Sequence, residues 1–364
     1  MGFERFASEA GGLARSLDFG PLDLNPPLFS LGEAGEPVPL PERMPNQVAQ
    51  PLSLITIADA QIAVSPETRR AYLLDRDGKP VAEAIDDSPN VRRRAERDLR
   101  AFAASGVEPQ PQASPVALVS GQRGGYWHWW VDVISRVWLL EEYGRELASL
   151  PLAFAPRRRG YQADSVERLE LGERCHDLRP GISRFPAVTF ASGVAPAASR
   201  FPSSRLAEYA RWLQVRIAGD EKRSMTGSGR RLFVSRGDVS SRRLANEEEL
   251  QAVLEQHGFE RVECARLPLA SQITIFAEAS LVIGPHGGGL TNLLFSPEGT
   301  GVLELFAAPA GQPVSNYRAL SSHLGQPYAR LLAAPIEVAG RSPHDLDMRI
   351  DPHLLGRALE ALGA

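Results

Sequence analysis

Short apolar runs recur along the chain, separated by stretches in which apolar positions return every three or four residues. Runs such as Pro115-Val-Ala-Leu-Val-Ser120, Leu152-Ala-Phe-Ala155, Arg231-Leu-Phe-Val-Ser235, Ala279-Ser-Leu-Val-Ile283 and Val302-Leu-Glu-Leu-Phe306 read as buried strands. Helical spacing fits residues 90–104, 165–171, 203–217, 246–256, 270–278, 315–324 and 352–362. Two earlier segments, 52–63 and 70–74, followed by the Asp77-Gly78 turn, predict an antiparallel meander ahead of this alternation. Strands separated by helices of this length predict an α/β fold with a parallel sheet, whose ligand site belongs at the carboxyl ends of the strands. The expected organisation is a proline-rich extended arm (1–50), an α/β domain (51–217), a second α/β domain (218–345) and a C-terminal helix (346–364).

Composition narrows the class. Of the 364 residues, 43% are hydrophobic and 23% charged, with a net charge of −4, so no global basic field of the kind nucleic-acid binders carry is present. No apolar run approaches the about 18–20 residues that span a bilayer, and the opening Met1-Gly-Phe-Glu-Arg lacks the apolar core of a signal peptide. Cys175 and Cys264 stand far apart and suggest neither a disulfide framework nor a zinc site. A cytoplasmic protein is expected. Arg157-Arg-Arg159 leaves open a peripheral association with the cytoplasmic face of an inner membrane, although three arginines are more often a solvated loop.

The most informative segment is Gly284-Pro285-His286-Gly287-Gly288-Gly289-Leu290-Thr291-Asn292, lying between an apolar strand and a second apolar run. Consecutive glycines let backbone approach a ligand closely, and the amides of a following helix point at whatever sits there, a phosphate being the natural occupant. The spacing is neither a Walker pattern nor a first-strand G-x-G-x-x-G, so a tight ligand-free turn is the competing reading. His286 at the mouth of the bend favours the ligand.

Three further groups carry chemistry. On the apolar stretch 126–140, His128, Asp132 and Arg136 recur every four residues and predict one polar stripe. That stripe is either an internal network or a cleft-facing site, with His128 or Asp132 as general base. After the strand at 231–235 come Arg236 at its carboxyl end, Arg242 and Arg243 on a loop, and Asn246 placed to cap the next helix. Guanidinium groups at such a loop suit a diphosphate. Glu304 lies inside an apolar strand and needs a partner, either ribose hydroxyls or an internal arginine. The other histidines, at 176, 257, 323, 344 and 353, read as surface or packing residues.

Together, Tyr126-Trp-His-Trp-Trp-Val-Asp132, Ser235-Arg236 with the later Arg242-Arg243-Leu-Ala-Asn246-Glu247, the histidine–glycine bend, and Leu303-Glu304-Leu305 resemble glycosyltransferase family 61. The resemblance is strong over about residues 115–145 and 230–306. The family usually has Gly-Ala-Gly after the histidine, where this chain has three glycines. The resemblance implies a GT-B-like architecture, two Rossmann-like domains facing across a cleft, with the donor on the later one. It implies an inverting, metal-independent transfer of a sugar from a nucleotide sugar, expected to be a UDP-sugar, to a hydroxyl. The expected acceptor is a bacterial surface glycan, lipid-linked or not: capsule, exopolysaccharide or lipopolysaccharide. No cofactor is implied. By position, Arg236, Arg243, His286 and the residues Gly287, Gly288, Gly289, Leu290 and Thr291 would hold the diphosphate, and Glu304 the ribose. Asn246 and Arg136 would be supporting residues, Asp132 the base, and His128 its partner or an acceptor ligand. The rival readings are a nucleotide-sugar epimerase and a non-catalytic nucleotide-sugar-binding or assembly protein.

Overall fold

Arm and strand-forming runs sort into two compact units, Met1–Pro21 with Gln47–Trp212, and Leu22–Asn46 with Leu213–Ala364. The structure, a computed structural model, describes residues 13–17, 29–36, 52–85, 89–155, 160–194, 205–218, 229–307, 316–341 and 345–363. Most of the arm, Arg157 to Arg159 and His344 lie outside the described residues. Within the arm, two short strands are described, β1 (Leu13–Leu17) and β2 (Phe29–Leu31).

The first unit continues with β3 (Leu52–Val64), β4 (Ala71–Leu74), helix α1 (Pro89–Ser105), β5 (Gln110–Pro111) and β6 (Val116–Leu118). Then come a long helix α2 (residues 126–143), β7 (Leu152–Phe154), α3 (Tyr161–Arg168), β8 (Cys175–Asp177) and β9 (Gly181–Ala191), and the helix α4 (Leu206–Ala218) contains the boundary between the units, after Trp212. The sheet runs β1-β3-β9-β6-β7-β8, with β4 added to β3 and β5 to β9. β3 pairs antiparallel with β1, β4 and β9, whereas β6 pairs parallel with β7 and β9, and β7 with β8. The sheet is therefore mixed. The sequence predicts a strand only at 187–190, because the first residues of β9 are half-exposed and only its last four are uniformly buried. Ile55, Ile57, Ile62, Val116, Leu118, Phe185 and Phe190 close the core between β3, β6 and β9.

The second unit carries β10 (Arg230–Val234), α5 (Glu247–Gln256), β11 (Phe259–Val262), α6 (Leu269–Ala277), β12 (Ala279–Pro285) and β13 (Gly301–Phe306). They are followed by α7 (Asn316–His323), β14 (Tyr328–Leu332), β15 (Ala334–Ile336), β16 (Asp347–Arg349) and α8 (Pro352–Ala361). Its main sheet is entirely parallel, in the order β11-β10-β12-β13-β14-β2. The arm strand β2 thus extends this sheet beyond β14. Taking β10 to β14 as one to five, the order is 2-1-3-4-5, which reverses direction between β10 and β12. That reversal opens the crevice where doubly wound sheets bind ligands. β15 and β16 form a small antiparallel pair, and Met348 also bridges Leu244 beyond β10. Leu303, Leu305, Ile283, Phe233 and Leu331 form the core with Leu354, Leu355 and Leu359 of α8. No described helix is long and apolar enough to cross a membrane.

Candidate functional site

The two strands at the reversal are drawn together by glycine. A Cβ on Gly284 would stand 2.9 Å from Val234 Cβ, and one on Gly289 would stand 2.6 Å from Val234 Cγ1. Gly287 has φ 170°, an extended backbone open to any residue, so its need for glycine is spatial. A Cβ there would lie 1.8 Å from Arg236 Nη1. The guanidinium of Arg236 therefore rests directly on the bend. Beyond it the chain forms a 3-10 helix, Gly288–Phe295, rather than the expected α-helix start. The apolar face Leu290, Leu293, Leu294 and Phe295 is buried, and Ser296 turns extended ahead of Pro297. Thr291 is fully buried with Oγ1 3.3 Å from Tyr317 Oη, and the Leu290 amide donates to Gly287 O at 3.0 Å. Of the expected diphosphate ligands, Leu290 and Thr291 thus serve the bend itself, and the first amides of the turn, at Gly288 and Gly289, are the ones without an intrahelical acceptor.

Arg236 is 9% exposed and donates from Nε and Nη2 to Ser241 O at 3.2 and 3.0 Å. Burial, with repulsion from Arg242 next, holds its pKa down to about 10. Arg242 has φ 57° and an Nε that is buried without a partner. Among the described residues neither arginine makes an ion pair. Arg243, expected beside the diphosphate, is committed elsewhere. Its amide donates to Asp347 Oδ1 at 2.9 Å and its Nη2 to Oδ2 at 3.1 Å. It lines a cavity of about 840 Å³ with Asn246, Glu247 and Glu249, which neither Arg236 nor the glycine bend lines. The cation beside Arg236 is Arg242. Asn246 stands at the N-cap of α5, but its side chain makes no cap hydrogen bond. It donates to Ile350 O at 2.8 Å and accepts from Ile350 N at 3.2 Å.

Behind the bend lies a buried polar network. His286 Nδ1 is 2.6 Å from Glu304 Oε1, and Tyr328 donates its hydroxyl to Glu304 Oε2 at 2.5 Å. Glu304 is fully buried. Its two oxygens are engaged by His286 and Tyr328. Burial, reinforced by the Glu304 charge, pushes the Tyr328 phenol well up. Tyr317 donates to Gly287 O at 2.6 Å, and His286 packs edge-on against Phe306 and Tyr317. Tyr317 and Tyr328 were not singled out from the sequence as site residues, and of the two loop arginines the family resemblance pointed to Arg243 rather than Arg242. The readable signal was a tyrosine in each buried element, since a buried phenol needs a hydrogen-bond partner.

In the first unit, His128 Nδ1 lies 2.7 Å from Asp132 Oδ2, with 24% and 16% of their side chains exposed. They sit on α2, which opens with Tyr126–His128, widens into a π-helix over Trp129–Ile134, and ends as Ser135–Tyr143. Such widened turns occur often at functional sites. Arg136 leaves the stripe. It is buried, donates to Ser120 O at 2.5 Å and Val119 O at 3.3 Å, and lies 4.8 Å over the Phe190 ring. It ties α2 to the end of β6. A spacing of four overshoots a 3.6-residue turn, and the π segment changes the phase again. Among the described residues no group of three or more His, Cys, Asp or Glu side chains gathers as a metal site.

Residues 126–303, just under half of the chain, match the model of the family described as glycosyltransferase 61. Over that stretch the chain is similar to the glycosyltransferase 61 family. A curated relative is the EGF domain-specific O-linked N-acetylglucosamine transferase of Drosophila melanogaster, 44% identical over 57 residues. The aligned stretch is 15% of this chain and 11% of the fly protein, so the chain spans only a small part of that relative's length.

Proposed function

We propose that the protein is a glycosyltransferase that moves a sugar from a nucleotide sugar to an acceptor hydroxyl, with inversion and without an obligatory metal. The observation that carries this reading is the Arg236–Arg242 pair, two cations that make no ion pair among the described residues, one seated on the Gly287 bend at the strand-order reversal. An uncompensated buried cation is unfavourable, and a diphosphate would relieve it. Because the Arg236 pKa is depressed in the fold, its charged form costs stability at every pH below about 10, and that cost fades as pH rises from there towards the ordinary guanidinium range. A bound oxyanion at neutral pH should therefore stabilise the chain. In transfer, charge builds on the departing diphosphate, where fixed donors act on the transition state more than on the ground state. His286, oriented by Glu304, and the Gly288 and Gly289 amides would add to the grip.

Asp132, paired with His128, would take the proton of the acceptor hydroxyl late in bond formation. The two units would serve as the acceptor and donor halves of a GT-B enzyme. A UDP-sugar as donor and a bacterial surface glycan as acceptor, met at the cytoplasmic face of a membrane, complete the proposal. The fly relative, named as an EGF domain-specific O-linked N-acetylglucosamine transferase, supports sugar transfer rather than that particular acceptor. Calorimetry with UDP and GDP, followed by a donor-hydrolysis assay, tests it. Binding of a nucleoside diphosphate that Arg236→Ala abolishes, together with turnover that Asp132→Asn abolishes, is the expected result. Binding without turnover of any donor would instead favour a nucleotide-sugar sensor.

A further inference from the structure

The stretch of backbone that carries Arg236 is held by hydrogen bonds that lead to Glu247. β10 ends at Val234, and the next residue, Ser235, is 3% exposed, so its hydroxyl needs partners inside the protein. It has two: Ser235 Oγ accepts from the Gly237 amide at 3.1 Å and donates to Glu247 Oε1 at 2.7 Å. Charge sets the direction of the second bond, because a carboxylate only accepts and the hydroxyl proton must therefore point at Glu247. The oxygen lone pairs are then left for the Gly237 N–H. A hydroxyl oriented in this way closes a turn from Ser235 to Gly237, and Arg236 is the residue between them.

Glu247 is itself fixed. It is the first residue of α5, where the positive end of the helix dipole favours a carboxylate. The same Oε1 accepts from Arg261 Nε of β11 at 2.6 Å, and Arg261 Nη2 reaches Glu263 Oε1 at 2.7 Å. Only 15% of the Glu247 side chain is exposed. Gly237 packs against these charges: a Cβ there would stand 2.9 Å from Arg261 Nη2 and 3.2 Å from Glu263 Oε1. Next along, Asp238 Oδ2 accepts from the Ala265 amide at 3.1 Å. The loop leaving β10 is thus seated on its β11 side through Gly237 and Asp238, whereas the Arg236 guanidinium lies on the other side, on the Gly287 bend that follows β12.

We propose that Glu247 is a positioning residue for Arg236, acting through the Ser235 hydroxyl. With the carboxylate gone, that hydroxyl can turn to another acceptor, the Gly237 amide loses its partner, and the turn that presents Arg236 to the bend opens. The neighbours Asn246 and Glu247 then have separate tasks, Asn246 clasping Ile350 and Glu247 holding the arginine turn. Where Arg236 sits depends on these hydrogen bonds alone, whereas an effect on nucleotide affinity rests on the transferase reading.

Three variants of the full chain separate this role from a contribution to folding. Glu247→Ala removes both the acceptor of Ser235 and the ion pair with Arg261. Glu247→Gln keeps an acceptor oxygen and loses only the ion pair, and Ser235→Ala breaks the link at its other end. Calorimetry with UDP should find binding weakened about tenfold in Glu247→Ala and in Ser235→Ala, no further in the double variant, and largely restored in Glu247→Gln. Urea unfolding should show Glu247→Gln destabilised like Glu247→Ala, since both lose the ion pair, so that affinity and stability part company. Losses that multiply in the double variant, or Glu247→Gln binding as weakly as Glu247→Ala, would overturn the proposal. Should Glu247→Ala not fold, as judged by circular dichroism, Ser235→Ala carries the same expected loss in its place. Crystal structures of the wild-type and Ser235→Ala chains give a readout that needs no nucleotide: the guanidinium should leave Gly287 in the variant. A guanidinium still resting on the bend would sink the positioning role whatever the affinities. If the wild-type chain binds no nucleoside diphosphate, the transferase reading fails and the two crystal structures still decide whether Glu247 and Ser235 place Arg236.

Discussion

Around the glycine bend of the second unit, each polar group behind the ligand face is tied to another. Glu304 holds His286 and accepts from Tyr328, Tyr317 holds Gly287, and Ser241 holds Arg236. Around His128 and Asp132 in the first unit the arrangement is looser: one hydrogen bond joins two partly exposed side chains on a widened helical turn. The difference follows from the chemistry each is proposed to serve. Fixed donors stabilise a leaving diphosphate because they need no rearrangement as charge develops. A base that receives a proton from an incoming hydroxyl needs access to that hydroxyl more than rigidity.

The largest expected effect breaks the looser side. Asp132→Asn should lower turnover by about two to four orders of magnitude, the usual worth of general-base catalysis, with nucleotide affinity unchanged. Loss of nucleotide binding in that variant would contradict the division of labour. On the tighter side, Arg236→Ala should depress turnover by roughly two to three orders of magnitude and also abolish nucleoside diphosphate binding, measured by steady-state kinetics and calorimetry. Gly287→Ala sharpens the same point. Its new Cβ would fall 1.8 Å from Nη1 at the tip of Arg236, so the side chain should swing away and affinity fall about tenfold, equal to about 1.4 kcal/mol, while the fold survives.

Stability separates the two networks further. Tyr328→Phe leaves a buried Glu304 oxygen without its donor and should cost about 1–3 kcal/mol in urea unfolding. His128→Ala, at a partly exposed pair, should cost less than about 1 kcal/mol. Equal costs would erase the contrast. The smallest effect concerns Cys264, whose thiol burial pushes up to about 12. It ionises only as pH climbs towards that value, so at pH 8 about one molecule in ten thousand is thiolate. Timed alkylation followed by mass spectrometry should therefore label the half-exposed Cys175 first.

The parallel sheet of the second unit was legible because its strands are continuous apolar runs and its glycines fall where a strand must turn sharply. The long antiparallel pairing of β3 with β9 was less so, since half of β9 is polar and half-exposed. Arg236 could be placed from its position after β10, and the His128–Asp132 pair from its spacing. Choosing between Arg242 and Arg243 was beyond the sequence: they are neighbours, and only the distant Asp347 decides which one is diverted. Glu304 shows the same limit. Its need for a partner was evident, but His286 and Tyr328 come from other strands and loops, and pairing across a sheet depends on register.

The C-terminal strand β16 has a mechanical consequence for the arginine loop. Asp347 takes the Arg243 amide, the Met348 amide donates to Arg243 O at 2.8 Å, and Ala245 donates to Met348 O at 2.8 Å, while Ile350 is clasped by Asn246. The segment from Arg242 to Asn246 is thus latched by residues a hundred positions downstream. Trimming the chain after Leu332 would leave the histidine–glycine and arginine motifs untouched on paper, yet unhook the loop that bears Arg242.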